Sequence, residues 1–356
     1  MRVYFDILHL YYVPQYLPVK NALEAKNIEC VFILYKQEHL NNILESYVKT
    51  HNLSYLWVNN RDEAKKIYLK NKPEWIIFGN ATDDLNEIHC FSKTALMQHG
   101  IGPKSCYYDV SNSPIMYRFV EGKHRLKRLQ ATFPKKTFID TGYAKLDPII
   151  NNTETEITLN SLALDPAKKT ILYAPTFYPS SIECLPQNFP DLFKDYNIII
   201  KPHFFSLIKT KYKLQKEKLN NWSHYSNVYV CEVADVSILP FMQLASLMIS
   251  DASSTLFEFT ALNKPAIWCD FYKLRWSYRG IFKFRLKKRL DNDLKYFGQV
   301  AARVTNIKEL IENTKLHLNE PQLNEVNRLE MSEYLTGKVD GKCSERIAEF
   351  IVGECA

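Results

Sequence analysis

The sequence predicts an α/β protein of two Rossmann-like domains, each a parallel sheet covered by helices, with a cleft between them. Three observations carry that expectation. The chain has 356 residues, more than the ~150 typical of one domain. Short β-branched and aromatic runs alternate along it with longer helix-period stretches. The alternation stops once, at Asn151-Asn152-Thr153-Glu154-Thr155-Glu156, and then restarts, as expected of a linker. The domains are therefore drawn at 1–152 and 153–356, with the last helix able to pack back on the first.

In the first half, strands are predicted at 3–8, 30–34, 56–58, 75–78, 95–98 and 137–139. Helices are predicted between them at 19–26, 40–49 and 62–70. In the second half, strands are predicted at 170–174, 197–201, 228–231, 247–250 and 266–269, with helices at 256–262, 307–316 and 344–352. Strand, helix, strand at this rhythm implies parallel pairing.

Composition narrows the function. Apolar residues at 46% and charged residues at 24% exclude a disordered or collagen-like chain. The 46 Lys and Arg against 39 Asp and Glu give a charge of +7, which suits an anionic substrate or an acidic membrane surface. No zinc-finger, basic-zipper or RNA-recognition signature is present, so no nucleic-acid partner is expected. The eight Cys are scattered without a C-x-x-C pair and read as reduced, buried thiols of a cytoplasmic protein. The N-terminus lacks a signal-peptide pattern, and no apolar run approaches the ~18 residues of a membrane span.

Ligands of open parallel sheets bind beyond the carboxyl ends of strands, so the candidate residues are those just after strands. The run 247–250 ends at Asp251 and is followed by Ser253, Ser254 and Thr255, three hydroxyls at a predicted helix start. Free amides there attract phosphate and hydroxyls add donors; an ordinary N-cap needs only one of the three. Glu258, one turn further in, is placed to accept hydrogen bonds from a ribose or to sit as a solvated helix carboxylate. The strand 197–201 delivers Lys201, Pro202 and His203, a cation and an imidazole suited to a pyrophosphate. Pro202 keeps Lys201 extended, and His203 also suits a general acid. The same pair reads equally as a surface Lys and a capping His.

After the run 95–98 comes His99-Gly100-Ile101-Gly102-Pro103-Lys104. Its two glycines let backbone approach a ligand closely, and His99 is a candidate general base. Tyr173-Ala174-Pro175-Thr176 ends a strand with a hydroxyl. Thr141-Gly142-Tyr143-Ala144-Lys145-Leu146-Asp147 follows the last strand of the first half. No Walker loop, H-E-x-x-H, zinc spacing or G-x-S-x-G is present. No cofactor and no metal site are expected.

In order, these motifs resemble those of the CDP-glycerol glycerophosphotransferase family of teichoic-acid and capsule enzymes. His99 to Lys104 is similar to its His-Gly-x-x-x-Lys loop, and Gly142 to Asp147 to its Gly-x-Pro-Arg-x-Asp segment. Tyr173 to Thr176, Lys201-Pro202-His203-Phe204, and Asp251-Ala252-Ser253-Ser254 follow. Last comes Asp340-Gly341-Lys342-Cys343-Ser344-Glu345-Arg346. The chain departs from the pattern at Ala144, Lys145, Phe204 and Glu258, and residues 1–60 look unlike the polymerases.

The resemblance implies a glycosyltransferase-B-like fold, with the acceptor on the first domain and a CDP-alditol donor on the second. It implies catalytic roles for His99 and His203. It implies substrate or phosphate contacts from Gly100, Gly102, Lys104, Thr176, Lys201, Asp251, Ser253, Ser254, Thr255, Glu258 and Arg346. An alditol phosphate, glycerol phosphate first, would pass to a hydroxyl of a glycan or lipid-linked acceptor, without a metal ion. A nucleotide-sugar glycosyltransferase and a non-catalytic binding module are the competing classes. Residues Lys273 to Arg289 carry eight basic side chains and no acid, interleaved with aromatics. That segment fits contact with anionic lipid on the inner face of the membrane, a polyanionic acceptor, or plain solvation.

Overall fold

A computed structural model describes residues 1–37, 40–98, 100–101, 106–154, 157–274 and 292–354. Two compact units divide these residues. One is drawn from 1–98, 106–152 and 334–354, the other from 100–101 and 153–333.

The first unit holds a sheet of order β3-β2-β1-β4-β5-β6-β7. The strands are β1 Arg2–Ile7, β2 Glu29–Tyr35, β3 Tyr55–Val58, β4 Trp75–Phe78, β5 Lys93–Met97, β6 Tyr117–Val120 and β7 Thr137–Asp140. Every pairing is parallel. Six strands fall where the sequence placed them; β6 was not foreseen. Its Tyr-Arg-Phe-Val run is broken by Arg118, which is nevertheless 1% exposed. The guanidinium is solvated by protein: it donates to the carbonyls of Ser111 (3.1 Å), Ser113 (2.7 Å) and Ile115 (2.6 Å). A buried cation needs such partners.

The helix predicted at 19–26 is Val13–Glu24. Pro14 sits at its start, where proline lacks only an amide that has no helical partner, but Pro18 lies inside and hid the first two turns from a propensity reading. The terminal helix Cys343–Gly353 belongs to this unit. Its Phe350 ring lies 5.2 Å from Tyr117, 5.7 Å from Phe119 and 6.3 Å from Trp75. Beyond it, the Glu354 carboxylate accepts from Tyr117 Oη (2.6 Å) and pairs with Lys93 (3.0 Å).

The second unit holds a sheet of order β10-β9-β8-β11-β12-β13, again with every pairing parallel. Its strands are β8 Thr170–Ala174, β9 Asn197–Ile200, β10 Val228–Val230, β11 Leu247–Ser250, β12 Ala266–Cys269 and β13 Ala302–Val304. The edge strand β13 was missed because Ala-Arg-Val is too short and too polar to stand out. The middle strands are buried on both faces, as a helix-covered parallel sheet requires. Ile171, Tyr173, Phe189, Ile198, Ile200, Trp222 and Ile249 form one core cluster beneath it.

Of the described cysteines, Cys30, Cys231, Cys269 and Cys343 are buried free thiols, whereas Cys90 is exposed. No helix among the described residues is long and apolar enough to cross a membrane.

Candidate functional site

In the second sheet the chain order reverses between β8 and β11, with β9 on the far side of β8. Such a reversal leaves a crevice at the carboxyl ends of the strands. The registers Tyr173 opposite Ile200 and Ala174 opposite Ser250 end all three strands at one level. Beyond the strands the ladder continues: the Lys201 amide donates to the Tyr173 carbonyl (2.9 Å) and the His203 amide to that of Pro175 (3.3 Å). Thr176, Lys201, His203, Asp251 and Ser253 to Thr255 thus leave three adjacent strands on one edge.

His203 is the N-cap of the short helix Phe204–Ile208. Its Nδ1 accepts from the Phe205 amide at 3.1 Å. That bond leaves Nδ1 without a proton, so the neutral ring carries its proton on Nε2 as a donor. The Phe177 ring, 4.5 Å away, and the Phe205 ring, 5.1 Å away, pack against the imidazole. Capping and function are therefore not alternatives here; the cap sets the tautomer. Lys201 is half-buried.

Ser253 caps the helix Ser254–Thr260. Its Oγ accepts from the Thr255 amide (3.4 Å) and the Thr255 hydroxyl (3.0 Å). Ser254 is half-exposed, with no side-chain bond among the described residues. The helix has only seven residues, so its few aligned peptides make a weak dipole and the hydroxyls and amides count for more.

Asp251 does something the sequence reading did not foresee. It is 1% exposed. Its Oδ2 accepts from the Thr176 amide and the Ser180 hydroxyl, and its Oδ1 from the Ser181 amide, each at 3.1 Å. These bonds tie the loop after β8 to the end of β11. A carboxylate so engaged holds the edge together and does not face an anion. Burial raises its pKa to about 7, against the lowering effect of these donors. Ser180 and Ser181, themselves buried, carried no sequence signal beyond a Pro-Ser-Ser turn. Thr176 is 7% exposed, and its amide is committed to Asp251. Glu258 is also 1% exposed, neither a solvated carboxylate nor open at the edge.

Arg346 belongs to the first unit, where Nε donates to the Thr141 carbonyl (2.9 Å) and Nη1 pairs with Asp340 (2.9 Å). Nη2 lies 3.0 Å from Cys343 Sγ. The motif holding it interlocks with the one after β7. Asp147, buried, accepts from the Ser344 amide (2.7 Å), the Ser344 hydroxyl (2.6 Å) and the Cys343 amide (3.3 Å). Gly142 has φ +80°, and a Cβ there would meet Cys343 Sγ at 2.7 Å, so only glycine fits. Gly100 is described and buried. His99, Gly102 and Lys104 lie outside the described residues, as does the basic segment beyond 274.

A family model described as CDP-Glycerol:Poly(glycerophosphate) glycerophosphotransferase matches residues 24–353. The teichoic acid glycerol-phosphate primase of Bacillus subtilis is 24% identical over 197 residues, 52% of this chain and 43% of that protein. The primase of Bacillus spizizenii is 30% identical over 139 residues, 37% of this chain and 33% of that one. The matches thus span less than half the length of these curated relatives.

Among solved structures, the wall teichoic acid polymerase TagF aligns at a TM-score of 0.68 with 16% identity, over 99% of this chain and 88% of that one. A UDP-GlcNAc 2-epimerase from Neisseria meningitidis aligns at 0.60 with 11% identity, over 99% and 100%. Both share the fold of two parallel-sheet α/β domains expected from the sequence. With a family model spanning nearly its whole length, the chain belongs to the CDP-glycerol:poly(glycerophosphate) glycerophosphotransferase family.

Proposed function

We propose that this protein transfers glycerol phosphate, or a related alditol phosphate, from a CDP-activated donor to a hydroxyl of a glycan or lipid-linked acceptor in cell-surface polymer synthesis. The observation that carries the reading is the edge of the second sheet. There a lysine, an imidazole with its Nε2 proton fixed as a donor, and three hydroxyls leave adjacent strands at a topological switch point. Family membership and the teichoic acid primase relatives support the choice of donor.

In the proposed reaction the acceptor oxygen forms a bond to the alditol-bearing phosphorus while the anhydride P–O bond breaks. CMP leaves with the electron pair. Lys201 and the Nε2–H of His203 stabilise the charge on the leaving phosphate, and the hydroxyls of Ser253 and Ser254 donate to the remaining oxygens while Thr255, through its amide and hydroxyl, holds Ser253 in place. Fixed donors aimed at developing charge carry most of the work in phosphoryl transfer. By family resemblance His99 takes the proton of the acceptor hydroxyl. Asp251 keeps Thr176 and the loop after β8 in register, and the basic stretch 273–289 is proposed to meet an anionic membrane surface or acceptor.

The test is product identity. The chain is incubated with CDP-glycerol, CDP-ribitol or UDP-sugars and a glycan or lipid-linked acceptor, and products are read by mass spectrometry. The reading expects CMP release with a mass gain of one alditol phosphate on the acceptor. Release of UDP with sugar transfer would replace it with a glycosyltransferase.

A further inference from the structure

The first unit carries a second site at its own topological switch point. The strand order β3-β2-β1-β4 reverses between β1 and β4. At the carboxyl ends of β1, β2 and β4, roofed by the helix Arg61–Asn71 and the residues after β4, lies a cavity of about 240 Å³. That is smaller than the ~300–1,000 Å³ of drug-sized sites, so it suits one small ring or an open chain of a few carbons.

Its polar groups are arranged in complementary fashion. The hydroxyls of Tyr35 (2.9 Å) and Tyr68 (2.6 Å) both donate to Asp6 Oδ2. Asp6 Oδ1 has no partner among the described residues, and Asp6 lines the cavity. Burial raises both tyrosines well above their usual range, so they stay protonated donors. Asn80 also lines the cavity, and its Oδ1 accepts from the Tyr12 hydroxyl (3.2 Å). This orients the amide and leaves Nδ2, which has no acceptor among the described residues, as a donor. Lys65 is occupied by Asp84 (2.6 Å) and Glu87 (2.8 Å). Arg61 stands exposed at the rim. The rings of Tyr35, Tyr68 and Phe78 form apolar wall.

We propose that this cavity binds the hydroxyl-bearing end of a small polyol or sugar, one hydroxyl donating to Asp6 Oδ1 and another accepting from Asn80 Nδ2. A fixed acceptor and a fixed donor lining one cavity, with rings for the C–H faces, is the recognition a polyhydroxyl chain needs and a phosphate does not. The site belongs to the first unit and the proposed phosphate-binding edge to the second, and the proposal does not depend on the transferase reading.

The test is calorimetric titration of the full chain, without nucleotide, against glycerol, ribitol and N-acetylglucosamine, with ethanolamine as the amine control. Saturable binding of at least one polyhydroxyl probe is expected. Asp6→Asn weakens it at least ~10-fold: the two tyrosine hydroxyls hold the amide oxygen and turn an NH₂ toward the cavity, replacing the acceptor with a donor. Thr82→Phe, at the half-exposed rim and remote from the core, blocks entry and abolishes binding with the thermal midpoint unchanged. His203→Ala leaves the titration unaltered. Failure of every polyhydroxyl probe to saturate the wild-type chain overturns the proposal. So does binding of ethanolamine alone, or binding that survives Thr82→Phe undiminished.

Discussion

His203 shows how a local structural bond sets the chemistry of a side chain. Its Nδ1 caps a helix through the Phe205 amide, so the ring meets a ligand through Nε2–H. His203→Ala removes one positioned donor and is expected to lower kcat for CMP release by ~10²–10³-fold. Loss of the cap adds about 1 kcal/mol of destabilisation. Steady-state kinetics beside a thermal melt separates the two effects. Asp251 makes a second prediction. Its folded pKa, about 7, lies above the ordinary carboxyl value of 3.8 because burial disfavours the charge. The folded state therefore holds the proton more tightly between these values, and stability falls as pH rises through about 7. In urea melts from pH 5 to 8, Asp251→Asn should flatten that part of the decline. It should also lower stability by ~1–3 kcal/mol, because the amide NH₂ cannot accept from a donor that the carboxylate satisfied. An unchanged pH slope would contradict the buried, proton-holding carboxyl. The residue types at this edge were legible because each directly follows an apolar strand. The direction of the Asp251 carboxylate was not, since its partners Ser180 and Ser181 lie 71 and 70 residues away in sequence.

Whole motifs can be structural at the level of elements. The segments Gly142 to Asp147 and Asp340 to Arg346 read in sequence as two separate family-like motifs, of which only Arg346 is expected to touch substrate. Folded, they clasp each other, with Asp147 capping the helix Cys343–Gly353 and Arg346 bonded to Thr141 and Asp340. Arg346→Ala is accordingly expected to cost ~1–3 kcal/mol of stability while the Kd for CDP-glycerol stays within twofold. A large loss of donor affinity in a fully folded variant would return Arg346 to the phosphate. Strand prediction failed where side-chain chemistry overrode propensity. β6 carries Arg118, whose partners are four carbonyls that no sequence pattern announces. The helix Val13–Glu24 begins before its interior Pro18, where a propensity reading stops. Where buried runs were uninterrupted, as in β4 or β11, their position was plain from sequence.

For the molecule as a whole, one rule locates both candidate sites. Each parallel sheet reverses its strand order once between neighbours, at β1 and β4 or at β8 and β11, and polar side chains gather at the strand ends there. The sequence showed the alternation that implies such sheets, but strand order, and hence the switch points, comes only from pairing. The basic run Lys273 to Arg289 gives a charge-driven expectation. Neutralising Lys287, Lys288 and Arg289 should reduce co-sedimentation with anionic vesicles and leave neutral vesicles unaffected. Unchanged sedimentation would assign the run to solvent or to a soluble acceptor. The most direct test of the central claim, that the edge of the second sheet holds a CDP-linked diphosphate, is calorimetric titration with CDP-glycerol. Saturable binding that Lys201→Ala weakens at least ~10-fold in a folded protein, as expected for a lost charge-assisted contact, is the predicted result. Equal affinity in the variant, or no binding by the wild-type chain, would contradict it.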